Sequence, residues 1–333
     1  MNYASTSRGP GFAGSLDGLQ FDAASNGHVE SYFLKINDPK GERALWVKAT
    51  LLARAGIDAE PIAESWVIAF ERGKPAIARK TTIPFSRARF SKGAIDLELP
   101  TITMTSSHVR GSQDGVAFDF AIEDKTPPLF HYMRRFYEGR FPSTKLMSPM
   151  PNLVARGEAR VGDRVWKIDG WRGLLGHNWG RGHAFAYAWG HCNVWDEDVD
   201  LVFEGTSGRV RVGPVLIPTT TVLVVRLNGE THALNHVSEL ARNKGSMTFR
   251  RWRFSARGPT LSVSGELFAE TEDMVGLHYE NPDGAMTYCL NSKLASARIA
   301  LEPRGGLPIV VNSRAAALEI GTRDPHHGVG MVA

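Results

Sequence analysis

The chain lacks most of the features that would tie it to a redox, nucleotide or membrane role. It has two cysteines, Cys192 and Cys289, in 333 residues. That is too few for a disulfide framework, and the expectation is a reduced, cytoplasmic protein. No apolar run reaches the roughly 20 residues a membrane-crossing helix needs, and the opening MNYASTSRGPGFAGSLDG has no apolar block of the secretory type. Stable membrane insertion is therefore not expected. Charge of one sign is scarce too: 39 Lys and Arg against 35 Asp and Glu leave a net +4, which does not call for a nucleic-acid partner. SMTFRRWRFSA interleaves Arg250, Arg251 and Arg253 with rings, but Glu266, Glu270, Glu272 and Asp273 follow, and a solvated strand face accounts for the pattern. There is no phosphate-cradling glycine loop, CxxC pair or GxSxG elbow. No cofactor is expected.

Helical periodicity is equally sparse. The best windows are short, PLFHYMRRFY at 128–137 and SELARN at 238–243. What fills the chain is short runs alternating with period two, such as ESYFLKI, ALWVKATLLA, SWVIAFE and TTTVLVVRL, punctuated by 34 glycines and 18 prolines. Gly162-Asp163 and Asn228-Gly229 read as hairpin turns. The two halves repeat this grammar at an offset of about 155 residues: ALWVKATLLA lines up with VDLVFEGTS, and SWVIAFERGK with TTVLVVRLNGE. The predicted class is all-β, in two similar domains.

The densest chemistry lies at 183–195, HAFAYAWGHCNVW. His183, Phe185, Tyr187, Trp189, His191, Asn193 and Trp195 alternate with small residues, so a strand here presents a wall of rings with polar tips on one face. Such a face suits an apolar cavity with a few fixed hydrogen-bonding groups. GHNWG, just upstream, adds His177, Asn178 and Trp179. Three histidines, His177, His183 and His191, fall within fifteen residues. Their spacing matches no compact metal motif and no acidic ligands are interleaved, so proton transfer or simple hydrogen bonding is the better reading. A metal-dependent oxygenase is the outside alternative. Glu204 shares a strand face with Val202 and is a reserve general acid, though a surface position explains it as well. Arg209 and Arg211 share one face suited to a carboxylate or phenolate, or merely to water.

FPSTKLMSP, IDGWRGLLGHNWG, YAWGHCN and LHYENPDGAMTYCLNSKLASARIAL, taken in order from about residue 140 to 300, resemble the superfamily of tocopherol cyclases and carotenoid hydratases of the hydroxyneurosporene-synthase type. The resemblance implies two lipocalin-like β domains in tandem, as barrels or curled sheets, with an arm at 1–25 and domains at 26–180 and 181–333. It also implies that the His-Asn-Trp segment lies near the domain junction and that the cavity there is used. The activities it implies are cofactor-free cyclisation and proton-initiated addition to a carbon–carbon double bond. One departure is Gly176, which stands where hydratase-like members often carry Asp.

The expected function is a cofactor-independent lyase or isomerase acting on a hydrophobic aromatic or isoprenoid small molecule between the domains. His177, His191 and Glu204 are the expected catalytic groups. Asn178, Trp179, His183, Tyr187, Trp189, Asn193, Trp195, Arg209 and Arg211 are expected to bind substrate. A carrier holding such a ligand without chemistry is the alternative.

Overall fold

Alternation of apolar and polar residues shapes nearly every element. In Val116–Glu123, for example, Val116, Phe118, Phe120 and Ile122 are buried while Asp119, Ala121 and Glu123 are exposed. The computed structural model describes residues 15–57, 59–139, 141–212 and 215–332. Among the described residues one short α-helix, Val237–Leu240, and three 3-10 turns interrupt the strands. Both expected hairpin turns form. Gly162 takes φ 60° between Thr144–Val161 and Arg164–Gly180, and Asn228 and Gly229 take φ 50° and 79° between Thr220–Leu227 and Glu230–Leu234. The second is the paired left-handed geometry of a type I′ turn.

The helix expected over 128–137 is absent. Leu129–Phe130 is instead a two-residue strand and Arg134–Phe136 a 3-10 turn. Leu129 and His131, two residues apart, are both sealed from solvent, which is strand spacing. Leu129 packs on Val202 and Val224 of the second sheet, and that tertiary contact overrides a weak local helix preference.

Two curled antiparallel sheets repeat one strand order. In the first, Lys74–Pro84, Ile62–Glu71, Arg43–Ala53, His28–Asn37, Arg164–Gly180 and Thr144–Val161 lie side by side, with Val116–Glu123 and the shorter strands beyond. In the second, Glu230–Leu234, Thr220–Leu227, Leu201–Arg209, Ala186–Cys192, Ile309–Thr322 and Met286–Pro303 follow in the same sense. Each sheet thus sets its first strand beside its last, and the strand order expected from the repeated turns is present in both halves.

Three large apolar clusters among the described residues result, beside two small ones. Leu34, Ile36, Val47 and Trp166 fill the hollow of the first sheet, and Phe203, Trp252, Phe254 and Leu290 fill that of the second. A third joins the sheets: Phe33, Trp46, Trp66 and Phe70 pack against Trp189, Leu277, Tyr279 and Cys289. His28–Asn37 serves two of these clusters on alternate residues, so all ten of its positions are buried. Burying Trp46, Trp66 and Phe70 contributes roughly 1.5–3 kcal/mol each. Polar ties reinforce the junction: Asn37 Nδ2 donates to the Lys293 carbonyl at 2.6 Å, and Arg72 donates to the carbonyls of Leu294 and Arg314 and to Asp273.

Candidate active site

The aromatic wall at 183–195 is only partly a strand. The ladder spans Ala186–Cys192, because both ends find other partners. The His183 amide donates to the Asn281 side chain at 2.7 Å, and the Trp195 indole donates to the Leu201 carbonyl while its ring packs on the second sheet's own core. Tyr187, Trp189 and His191 face the junction. The last two are sealed; Tyr187 is half-buried with its ring against Gly321.

GHNWG lies on the Arg164–Gly180 strand, but His177 and Trp179 point away from the junction. His177 stacks on Tyr32 at 4.1 Å within the first sheet, and Trp179 packs with Tyr137 and Met147. His177 Nε2 lies 2.9 Å from Glu30 Oε1, and its Nδ1 2.9 Å from the Leu16 carbonyl. Glu30 also accepts from His28 at 2.8 Å and from the Gln20 amide. Burial alone would push the Glu30 carboxyl up, but the bonds from His177 and His28 outweigh it and hold it down at about 2. Every group at the centre of this cluster has a partner, and together they fasten residues 16–20 to the sheet.

His191 belongs to a different group. It sits directly opposite Glu204 in the register of Ala186–Cys192 with Leu201–Arg209, so both side chains stand on the junction face. His191 Nε2 donates to the Pro151 carbonyl at 2.9 Å, leaving Nδ1 buried without a partner. Burial, and then the neighbouring Lys35 ammonium, hold this imidazole well below its usual range. It is therefore neutral, with its proton on Nε2 and a bare lone pair on Nδ1. Glu204 Oε1 accepts from the Ser148 hydroxyl at 2.9 Å and the Trp189 indole at 3.1 Å, and Oε2 is left over. His131 Nε2 stands 3.4 Å from Glu204 Oε1, and the Leu146 backbone is the other polar group at this ring. Burial keeps this ring neutral as well. Asn193 donates to the Gly173 carbonyl and to Asn152, while its own oxygen is unpartnered.

Buried cations line the rest of the seam. Lys35 is fully buried, donates only to Asn37 Oδ1 at 2.9 Å among the described hydrogen bonds, and is pushed by burial down to about 7, with Lys293 and Glu204 among the charges around it. Lys293 pairs with Glu319 at 2.8 Å and lies 5.5 Å from the Trp189 ring. Burial would raise the Glu319 carboxyl, but Lys293 and Lys48 hold it below the usual range. The Cys289 thiol, pushed up to about 12 by burial and by Glu319, donates weakly to that carboxylate.

The three histidines therefore do not converge. His177 belongs to the first sheet's interior, His191 to the junction, and His183 to its edge beside Asn281, where burial lowers it to about 4. Among the described residues no three His, Cys, Asp or Glu side chains are placed to hold a metal. Asn178 is half-buried opposite Ser31, and Arg209 is exposed at a strand end. Arg211 lies on Arg211–Val212 of a separate two-stranded sheet, and its side chain is outside the described residues. Open grooves of about 790 and 360 Å3, at 86–119 and 242–302, lie away from the junction. Lys35, His131, Ser148, Lys293 and Glu319 escaped the sequence reading. The available signal was a lone lysine inside otherwise buried runs, FLKIN and NSKLA.

A model of the tocopherol cyclase-like family matches residues 149–322, more than half of the chain. The chain belongs to the tocopherol cyclase-like family. That family is cyclase-like, and its matched span contains His191, Glu204, Lys293 and Glu319, whereas His131, Ser148 and Lys35 lie outside it. Two uncharacterized proteins from two strains of Mycobacterium tuberculosis are each 25% identical over 282 residues, covering 84% of this chain and 82% of the relative. In fold the chain is similar to CghA with Sch210972 (TM-score 0.59, 11% identity, 89% of this chain and 88% of that one). It is also similar to a protein assigned as AttH from Nitrosomonas europaea (TM-score 0.57, 11% identity, 88% and 92%). At that identity the likeness is one of architecture.

Proposed function

We propose that this tocopherol cyclase-like protein is a cofactor-independent acid–base enzyme, and that the junction pair Glu204 and His191 carries its chemistry. The substrate class is a hydrophobic aromatic or isoprenoid molecule. The observation that carries the reading is a pair of buried, unpartnered atoms on directly opposed residues, Glu204 Oε2 and His191 Nδ1, with the buried His131 ring 3.4 Å from the same carboxyl. Each such group costs about 1–3 kcal/mol when left unpaired, so a pair of them marks where a polar part of a ligand is received. The saturated His177–Glu30 cluster offers no comparable opening.

In a cyclisation, Glu204 Oε2 delivers a proton to one carbon of a substrate double bond. The substrate's own hydroxyl oxygen bonds to the other carbon, and His191 Nδ1 takes the hydroxyl proton. The product is an isomer of the substrate, and return of the proton from imidazolium to carboxylate restores the site. Ser148 and Trp189 fix the orientation of Glu204 by occupying Oε1. The surrounding rings of Phe33, Trp46 and Trp189 exclude water.

The direct test is mass-spectrometric identification of small molecules co-purifying with the wild type and with Glu204→Gln. The reading predicts unconverted substrate in the variant and, in the wild type, its isomer or its one-water adduct. The same unchanged ligand in both would make the protein a carrier.

A further inference from the structure

The junction holds more buried positive than negative charge, and the excess lies toward its outer edge. Lys35, Lys48 and Lys293 are each no more than 5% exposed, and the acids sealed among them are Glu204 and Glu319. Both acids are already engaged: Glu319 with Lys293 at 2.8 Å, Glu204 with Ser148 and Trp189. Glu64, the other carboxylate near Lys48, is paired with Lys80 at 2.7 Å. Lys48 Nζ instead stands 3.7 Å from the centroid of the Tyr279 ring and 5.9 Å from that of Trp46. A buried ammonium resting on rings is far less well compensated than one facing a carboxylate. Beside it the buried Tyr279 hydroxyl has no nitrogen or oxygen partner, only the weakly bonding Cys289 thiol.

This end of the seam is also less enclosed than the other. His183 and Tyr187 are only half-buried, and the His183 ring stacks on Tyr279 at 5.1 Å and on Tyr187 at 6.3 Å. Lys48 and Arg323 both raise the positive potential at His183. At the inner end Lys35 is already bonded to Asn37 and is fully enclosed.

We propose that Lys48 and Tyr279 form an anion-binding subsite at the mouth of the junction, which takes a carboxylate or an ionised phenol or enol of the ligand. The subsite rests on the junction being the ligand site. It extends that reading by giving the substrate two ends: an acidic group held at Lys48 and an unsaturated portion directed toward Glu204 and His191. A ligand anion there adds to the negative charge that Lys48 otherwise shares with Lys293 in Glu319, and gives the Tyr279 hydroxyl a stronger acceptor than the Cys289 thiol. Lys293, between the two ends, remains with Glu319.

Calorimetric titration with a matched pair of probes, 4-phenylbutyrate and 4-phenyl-1-butanol, tests the subsite without knowledge of the natural ligand. The wild type is expected to bind the carboxylate at least 10-fold more tightly than the alcohol. Lys48→Met is expected to abolish that preference while leaving the alcohol's affinity unchanged, and Tyr279→Phe to reduce it about three- to fivefold. Glu204→Gln should leave the preference intact, which separates a failure of the subsite from a failure of the proposed chemistry. Equal affinity of the wild type for the two probes overturns the subsite whether or not any variant folds, as does a preference that survives in Lys48→Met.

Discussion

His191 and Glu204 face each other across neighbouring antiparallel strands, both wholly buried, and each keeps one polar atom without a partner. The atoms already engaged decide which remain. The Pro151 carbonyl accepts from Nε2 and so leaves Nδ1 open, while Ser148 and Trp189 occupy Oε1 and leave Oε2 open.

Glu204→Gln keeps the volume and an acceptor for Ser148 and Trp189 but removes the transferable proton. Turnover is expected to fall by about 10²–10⁴-fold, the usual contribution of a positioned acid or base, with little change in melting temperature. Glu204→Ala is expected to add a stability loss of roughly 1–3 kcal/mol, because two buried donors lose their acceptor. Denaturant unfolding of the two variants distinguishes the effects.

The Glu30 carboxyl lies below its unfolded value of 4.5, at about 2. Its stabilising contribution, on the order of 3 kcal/mol, is complete above pH 4.5 and is lost as pH falls toward 2. Glu30→Gln should be less stable than wild type at pH 6, and the difference should shrink as the pH is lowered through this range. Unfolding free energies at a series of pH values check the slope.

Lys35 gives a slope of the same sign in a higher pH window, but here it is the charged form that the fold disfavours. Its folded value of about 7 lies below the unfolded 10.5, so the unfolded chain binds more protons between those values and stability rises with pH across that window. Lys35→Met is expected to flatten that rise and to be more stable at neutral pH by roughly 1–4 kcal/mol. Thermal melts from pH 6 to 10 measure both effects.

Gly176 admits no side chain. A Cβ there would lie 2.3 Å from the Phe33 ring, and that ring meets Trp189 edge-on at 5.4 Å. Gly176→Ala should cost roughly 1–3 kcal/mol through overpacking, and Gly176→Asp more, since it also buries a carboxylate. Stability of the two variants checks the order.

Much of the architecture was legible from period-two runs and hairpin turns, and the ring-bearing face of Tyr187, Trp189 and His191 was legible for the same reason. The direction of His177 was not. In a strand buried on both sides, alternation separates two sets of residues without saying which core each set meets, and His177 shares its face with Tyr32 rather than with Trp189. His131 was hidden in a segment read as helical, and its neighbour Glu204 is 73 positions along the chain. Lys35 and Lys293 were visible only as isolated charges in apolar strands, since what makes them informative is the scarcity of carboxylates around them in three dimensions.

The central claim is that the junction performs proton transfer while the His177–Glu30 cluster holds the fold. The most direct measurement is single-turnover conversion of the ligand recovered from the native protein, with His191→Asn and His177→Gln compared at equal concentrations of folded protein. The account predicts that His191→Asn binds the ligand but converts it at least 100-fold more slowly, whereas His177→Gln melts earlier yet converts it at close to the wild-type rate. Full activity in His191→Asn, with loss in folded His177→Gln, would contradict it.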